Sequence, residues 1–155
     1  MLDKIVEKTK ERVSETKKVN SLDRLKYKIL NIEVKFNYPF KKALSSDDIA
    51  IIAEVKKASP SKGLIAENFD YVSIAKEYEA AGASAISVLT EPYFFQGSDD
   101  YLKEIAKNVK IPVLRKDFVV DEYMIYEAKL LGASAVLLIA AILSDEQLEQ
   151  YLTIT

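Results

Sequence analysis

Gly82-Ala-Ser-Ala-Ile-Ser-Val-Leu89 and Gly132-Ala-Ser-Ala-Val-Leu-Leu-Ile139 are two copies of one phrase within the chain. In each, the glycine suits the left-handed residue just past a helix end, the small residues suit a tight turn, and an apolar run follows. A helical pattern precedes both copies. Asp70 can cap a helix carrying Val72, Ile74, Ala75 and Tyr78 that ends at Gly82. Asp121 can cap one carrying Met124, Ile125, Ala128 and Leu131 that ends at Gly132. The phrase is a helix-to-strand turn used twice.

Four short apolar runs lie on this grid, at Ile49–Val55, Ala85–Leu89, Ile111–Leu114 and Ala135–Ile142. Ser98 or Asp99 can cap a further helix with Leu102, Ile105, Ala106 and Val109, and Ser144-Asp-Glu-Gln147 is a capping box that opens the last one. Strand and helix in strict alternation predict an α/β fold with parallel strands and crossover helices. Ahead of residue 49 the character differs. Leu2, Ile5, Val6, Thr9 and Val13 form one helical stripe, with Lys4–Glu7, Lys8–Glu11 and Arg12–Glu15 as pairs on the opposite side. A second helix over Leu22–Leu30 and a connecting segment over 32–48 complete an N-terminal unit, residues 1–48, before an α/β unit, residues 49–155.

Composition narrows the chemistry. The 155 residues include no Cys, His or Trp, which removes disulfides, thiolate or imidazole catalysis, and zinc sites built on those ligands. The four glycines, at 63, 82, 97 and 132, are too scattered for a phosphate-cradling glycine cluster. Proton transfer must use carboxylates, Lys or Tyr. Residues 1–40 hold ten Lys/Arg against six Asp/Glu, but the acids are interleaved and the net charge is −2, so a solvated helix face is expected there and no nucleic-acid partner. The longest apolar run, Ala135–Leu143, is half of the ~18 residues a membrane helix needs, and charged residues follow Met1, so a cytoplasmic protein with no membrane partner is expected.

In parallel α/β folds, functional residues gather where strands end and the next loops begin. The first run closes on Glu54-Val-Lys56-Lys57 before Ser59-Pro-Ser-Lys-Gly63, the second on Thr90-Glu91, the third on Arg115-Lys116-Asp117-Phe118. Alternation places Glu54 with Lys56 on one face, and Leu114, Lys116 and Phe118 on one face. If both faces point inward, a carboxylate, two ammonium groups and an aromatic ring meet at one rim. An ammonium there is a candidate general acid, since burial and a second cation both favour losing the proton. The same spacing also suits a plain Glu54–Lys56 or Glu54–Lys116 ion pair that closes the strand ends. Ser59-Pro60-Ser61 suits a ligand contact or a simple turn, and Phe94-Phe95 an apolar pocket or a core cover.

Ile52-Ala-Glu-Val-Lys-Lys-Ala-Ser-Pro-Ser-Lys-Gly63, Val88-Leu-Thr-Glu91 with Phe95-Gln-Gly-Ser98, Pro112-Val-Leu-Arg-Lys-Asp-Phe118 and Ala135-Val-Leu-Leu-Ile139 resemble indole-3-glycerol-phosphate synthase, motif by motif and in order. The resemblance covers essentially the whole chain, including the helical N-terminal extension. It implies a (β/α)8 TIM barrel that closes the pyrrole ring of a phosphorylated carboxyphenylamino-deoxyribulose, losing CO2 and water, with no cofactor and no metal. It also implies roles. Lys116 matches the general acid, Lys56 the lysine that steers the substrate's carboxylate, and Glu54 the glutamate that holds the lysines. Ser59 and Pro60 match first-loop binding residues, and Phe95, Phe118 and Leu137 the apolar wall around the aromatic ring. Ala58 stands where some members have Lys and is expected to face away from the substrate.

A barrel of this type runs to about 250 residues, whereas the chain ends in its fourth helix at Thr155. The expectation is therefore the first four βα units of the barrel, with weak phosphate affinity and open sheet edges that favour self-association or pairing with a complementary half-barrel. A non-catalytic half-barrel serving as a folding or assembly unit is the alternative. Other phosphate-handling barrels, such as ribulose-phosphate epimerase or phosphoribosylanthranilate isomerase, are disfavoured by the Ser59-Pro-Ser61 and Lys116-Asp-Phe118 motifs and the N-terminal extension.

Overall fold

The computed structural model describes residues 1–32, 37–45 and 48–155. Four parallel strands, β1 (Ile52–Val55), β4 (Ala85–Leu89), β5 (Val113–Lys116) and β6 (Ala135–Val136), form one sheet in the order β1-β4-β5-β6. Helices α4 (Tyr71–Ala80), α5 (Asp99–Asn108) and α6 (Glu122–Leu131) provide the crossovers between them, and α7 (Asp145–Ile154) follows β6 after a 3-10 turn at Ala140–Ile142. The parallel strands, each joined to the next strand of the sheet through a helix, are the pattern expected from the alternation, and they fit the first four units of the barrel that the family resemblance implies.

The caps are the ones expected. Asp70, Ser98, Asp121 and Ser144 each accept a main-chain N–H of the helix they open, and Ser144 and Gln147 form the reciprocal capping box. Gly82 and Gly132 hold φ of 91° and 95° at the two repeated turns. The main core lies between the sheet and the outer helices, where Ile86, Val88 and Val113 pack against Ala75, Leu102 and Ile105. All five residues of β4, which has a strand on each side, are buried.

Several boundaries move. Pairing in the first run begins only at Ile52, opposite Ala85, and Ile49 is 91% exposed. Ile51 reaches the sheet through its carbonyl, which accepts from Ser84 N–H, so apolar content there marks the approach to a strand. The third strand runs on through Arg115 and Lys116, because the register continues while the side chains find polar partners. The fourth run supplies only Ala135–Val136 as strand before the chain coils into the 3-10 turn.

Within the connecting segment, Pro39 opens a short helix, α3 (Pro39–Leu44), as a residue without a free N–H can at a first helical position; its residues 33–36 and 46–47 lie outside the described residues. The loop after β1 carries two further strands, β2 (Ala58–Ser59) and β3 (Gly63–Leu64), paired antiparallel as a small hairpin.

The N-terminal helices α1 (Leu2–Val19) and α2 (Leu22–Leu30) close the second cluster of the core. Val13 and Leu25 are buried with Val119, Tyr123, Met124 and Tyr151. The expected Arg12–Glu15 pair on the solvated face of α1 is replaced. Glu15 bonds Lys18 at 2.6 Å, while Arg12 turns toward the sheet and bonds Asp117. A buried carboxylate attracts the guanidinium more strongly than an exposed neighbour, which solvent screens. Lys17 likewise reaches Asp121, at 2.5 Å. No helix among the described residues is long and apolar enough to cross a membrane.

Candidate active site

Register brings the polar rim together. Glu54 lies level with Ser87 of β4, which lies level with Leu114 of β5. Lys116 lies level with Leu89, one inward-facing layer closer to the C-terminal rim than Glu54. Lys56, two residues past Glu54, stands in that upper layer too. β1 and β5 are separated by β4, about 9–10 Å in all from the usual strand spacing. Lys116 spans that gap because the intervening residue is Ser87, whose side chain is small.

Glu54 consequently serves both lysines. Its Oε1 accepts from Lys56 Nζ at 2.5 Å and its Oε2 from Lys116 Nζ at 3.0 Å, with Ser87 Oγ at 3.5 Å from the same Oε2. Burial works against the Glu54 charge, but the two ammonium groups outweigh it and hold the carboxyl below its usual range. All three side chains keep roughly a third of their surface open at the rim, 29% for Glu54, 30% for Lys56 and 36% for Lys116. Both ion pairs that the spacing allowed are present, sharing one carboxylate, and the lysines meet through Glu54.

Two of the aromatic candidates also meet. The rings of Phe95 and Phe118 lie with centroids 6.1 Å apart at 37°, both half-buried. Leu137 follows β6, the edge strand beside β5, and is half-buried. Ser59 and Pro60 sit in the β2–β3 hairpin. Ser59 is buried, and its Oγ accepts Lys62 N–H at 3.2 Å and lies 3.4 Å from Ser61 Oγ, which is turn chemistry; Pro60 is exposed at the hairpin tip. Ala58 is buried at the base of the hairpin. Among the described residues no hydrogen bond joins Ser59 to Glu54, Lys56 or Lys116, and no group of three or more acidic, His or Cys side chains could hold a metal.

Behind the rim stands a charged network that the motif reading left unassigned. Arg115 alternates away from Lys116 into the helix layer and is fully buried. It bonds Asp99 at 2.8 Å, Glu127 at 2.9 Å, the Met124 carbonyl at 3.0 Å and Thr90 Oγ1 at 3.2 Å. Thr90 in turn donates to Asp117 at 2.7 Å, and Asp117 accepts Arg12 and the Phe118 N–H. Burial, abetted by Asp99, raises the Glu127 pKa despite its guanidinium partner. The available signal was alternation itself. Two charges on the helix-facing side of a strand cannot remain unpaired.

Glu91 is buried as well, and its carboxyl accepts the main-chain N–H groups of Tyr93, Phe94 and Phe95 at 3.0, 2.7 and 3.1 Å.

The chain is similar to known proteins over nearly its whole length. The sequence profile of the family described as indole-3-glycerol phosphate synthase matches residues 2–155. Proteins of that name are similar to this chain at 55% identity over 154 residues in Ruminiclostridium cellulolyticum, covering 99% of the chain and 59% of the relative. In Endomicrobium trichonymphae the identity is 57% over 152 residues, covering 98% and 59%. In Lachnoclostridium phytofermentans it is 48% over 165 residues, covering 99% and 61%. The chain thus spans about three-fifths of the length of these relatives. It belongs to the indole-3-glycerol phosphate synthase family.

Proposed function

We propose that this chain carries the acid and aromatic-binding half of a cytoplasmic indole-3-glycerol phosphate synthase, a carboxy-lyase acting on 1-(2-carboxyphenylamino)-1-deoxyribulose 5-phosphate in tryptophan biosynthesis. The observation that carries the reading is the sharing of Glu54 by Lys56 and Lys116 at a strand rim, together with the pairing of Phe95 with Phe118, two residues past Lys116.

In this reading the substrate's aromatic ring lies against Phe95, Phe118 and Leu137, and Ser59 and Pro60 of the first loop bind the substrate beside it. Lys56 attracts the ring carboxylate. The ring carbon bearing that carboxylate attacks the ketose carbonyl carbon, and Lys116 gives a proton to the carbonyl oxygen as its π pair moves outward. Departure of CO2 returns an electron pair to the ring; the new hydroxyl then takes up a proton and leaves as water, and the adjacent methylene carbon gives up a proton as the pyrrole double bond forms. Glu54 holds both ammonium groups in place before substrate arrives and accepts hydrogen bonds from substrate hydroxyls afterwards. Fixed cations where negative charge develops stabilise the transition state without reorganisation.

The outer edge of β1 bears on the same reading. Ile49, Ile51 and Ile52 are 91%, 57% and 42% exposed, an apolar margin on which a complementary half-barrel, or a second copy of the chain, adds parallel strands. Sedimentation at micromolar concentration tests this, and a clean monomer, alone and with the complementary half, contradicts it. For the activity, indole-3-glycerol phosphate formation is followed with the purified chain, alone and mixed with the remaining half-barrel of a relative. Turnover in either sample supports the reading; a folded mixture that binds substrate and yields no product contradicts it.

A further inference from the structure

The loop that presents Phe95 is built around one side chain. Glu91 sits at the end of β4 with no exposed surface, and both of its oxygens are acceptors. Oε1 takes the Tyr93 N–H, and Oε2 takes those of Phe94 and Phe95. A carboxyl group in such a main-chain nest is satisfied without a cation, and it fixes the backbone that surrounds it. The loop is closed from its other end too. Gly97 N–H donates to the Glu91 carbonyl at 2.8 Å, and Gln96 between them takes the left-handed conformation, φ 50°. A β-carbon on Gly97 would lie 2.5 Å from the Leu89 carbonyl oxygen, so the return of the loop is pressed directly onto the strand. Phe95 is therefore held by its own N–H on one side and by a constrained turn on the other, facing Phe118 at 6.1 Å.

We infer that Glu91 is the positioning residue of the aromatic wall: by collecting three loop amides it sets where Phe95 stands, and through Phe95 the affinity for a 2-carboxyphenylamine ring. This rests on the aromatic-wall role of Phe95 and Phe118 proposed above. Among the described residues, the hydrogen bonds of Glu91 go to the loop and not to Glu54, Lys56 or Lys116, so its effect falls on ring binding and not on proton transfer.

Glu91→Gln places an NH2 group against an N–H donor and opens the nest. The probe is anthranilate, whose fluorescence is clear of a chain with no Trp. Its dissociation constant is measured for the wild type, Glu91→Gln, Phe95→Leu and the double variant, with amide hydrogen exchange at 93–95. The expected result is faster exchange at those three amides and binding weakened about tenfold by Glu91→Gln. On the Phe95→Leu background, Glu91→Gln adds less than about twofold, the non-additivity of residues acting in series. In the turnover assay, KM rises while kcat stays within about twofold.

Unchanged anthranilate binding by Glu91→Gln, or full additivity with Phe95→Leu, overturns the inference. If Glu91→Gln does not fold, Glu91→Asp, which withdraws the carboxylate from the amides by one methylene, carries the same expectation and the same refutation. A folded wild-type chain that binds no anthranilate contradicts the aromatic-wall reading itself and takes the inference with it.

Discussion

Arg12 of the first helix bonds both carboxylate oxygens of Asp117, at 3.0 and 2.9 Å, across 105 residues of chain. Asp117 is the residue after Lys116, so this contact fastens the N-terminal helix to the backbone that carries the candidate acid. Thr90 and the Phe118 N–H complete the shell around the same carboxylate.

Arg12→Ala leaves Asp117 buried with fewer donors. The expected loss is about 1.5–3 kcal/mol, the range for a hydrogen bond to a charged group, seen as a lower urea midpoint with an unchanged slope. Arg12→Lys should recover part of it, because a single ammonium reaches the carboxylate without the guanidinium geometry.

Thr90 accepts from Arg115 and donates to Asp117 with one hydroxyl, so Thr90→Val should remove both bonds and cost about 1–3 kcal/mol. Thr90→Ser keeps the hydroxyl and should cost less than about 1 kcal/mol. Equal losses for the two variants would assign the effect to packing.

These tertiary ties mark the limit of what the sequence discloses. The strand-and-helix order, the turns at Gly82 and Gly132 and the Ser144 capping box are local, and their residues declare them. The convergence of Glu54, Lys56 and Lys116 follows from alternation along two strands once those strands share a sheet. Arg12 could not be placed this way. Its helical spacing from Glu15 is a legitimate pairing signal, and only the fold brings Asp117 within reach. The boundaries of β1 and β6 were hidden because apolar runs also occur beside strands, at Ile49–Ile51 and in the 3-10 turn at Ala140–Ile142. Glu91 reads as one more acid at a strand end until three amides are seen to surround it.

The Glu54 carboxyl is held below its ordinary pKa of 4.5, with Lys56 and Lys116 outweighing its burial. A depressed carboxyl contributes stability that is present above the unfolded value and disappears as pH falls through the folded one. The stability difference between wild type and Glu54→Gln should therefore be steady at neutral pH and shrink below pH 4.5. Denaturant melts across the acid range check this; a difference that grows on acidification is the opposite sign.

Ser87 is the gap through which Lys116 reaches Glu54. Ser87→Leu should fill it, break the 3.0 Å pair and leave Lys56–Glu54 in place. Overpacking of this kind costs about 1–3 kcal/mol, whereas Ser87→Ala should preserve the pair and nearly all the stability. The Lys116 Nζ resonances of the two variants distinguish the cases.

Lys116→Ala decides whether Lys116 is the acid of the proposed ring closure, with the chain assembled on a complementary half-barrel and indole-3-glycerol phosphate as the readout. Turnover should fall about 10²–10⁴-fold, the usual contribution of a positioned acid, while KM changes only a few-fold. A folded Lys116→Ala protein that turns over at the wild-type rate would remove Lys116 from the acid role.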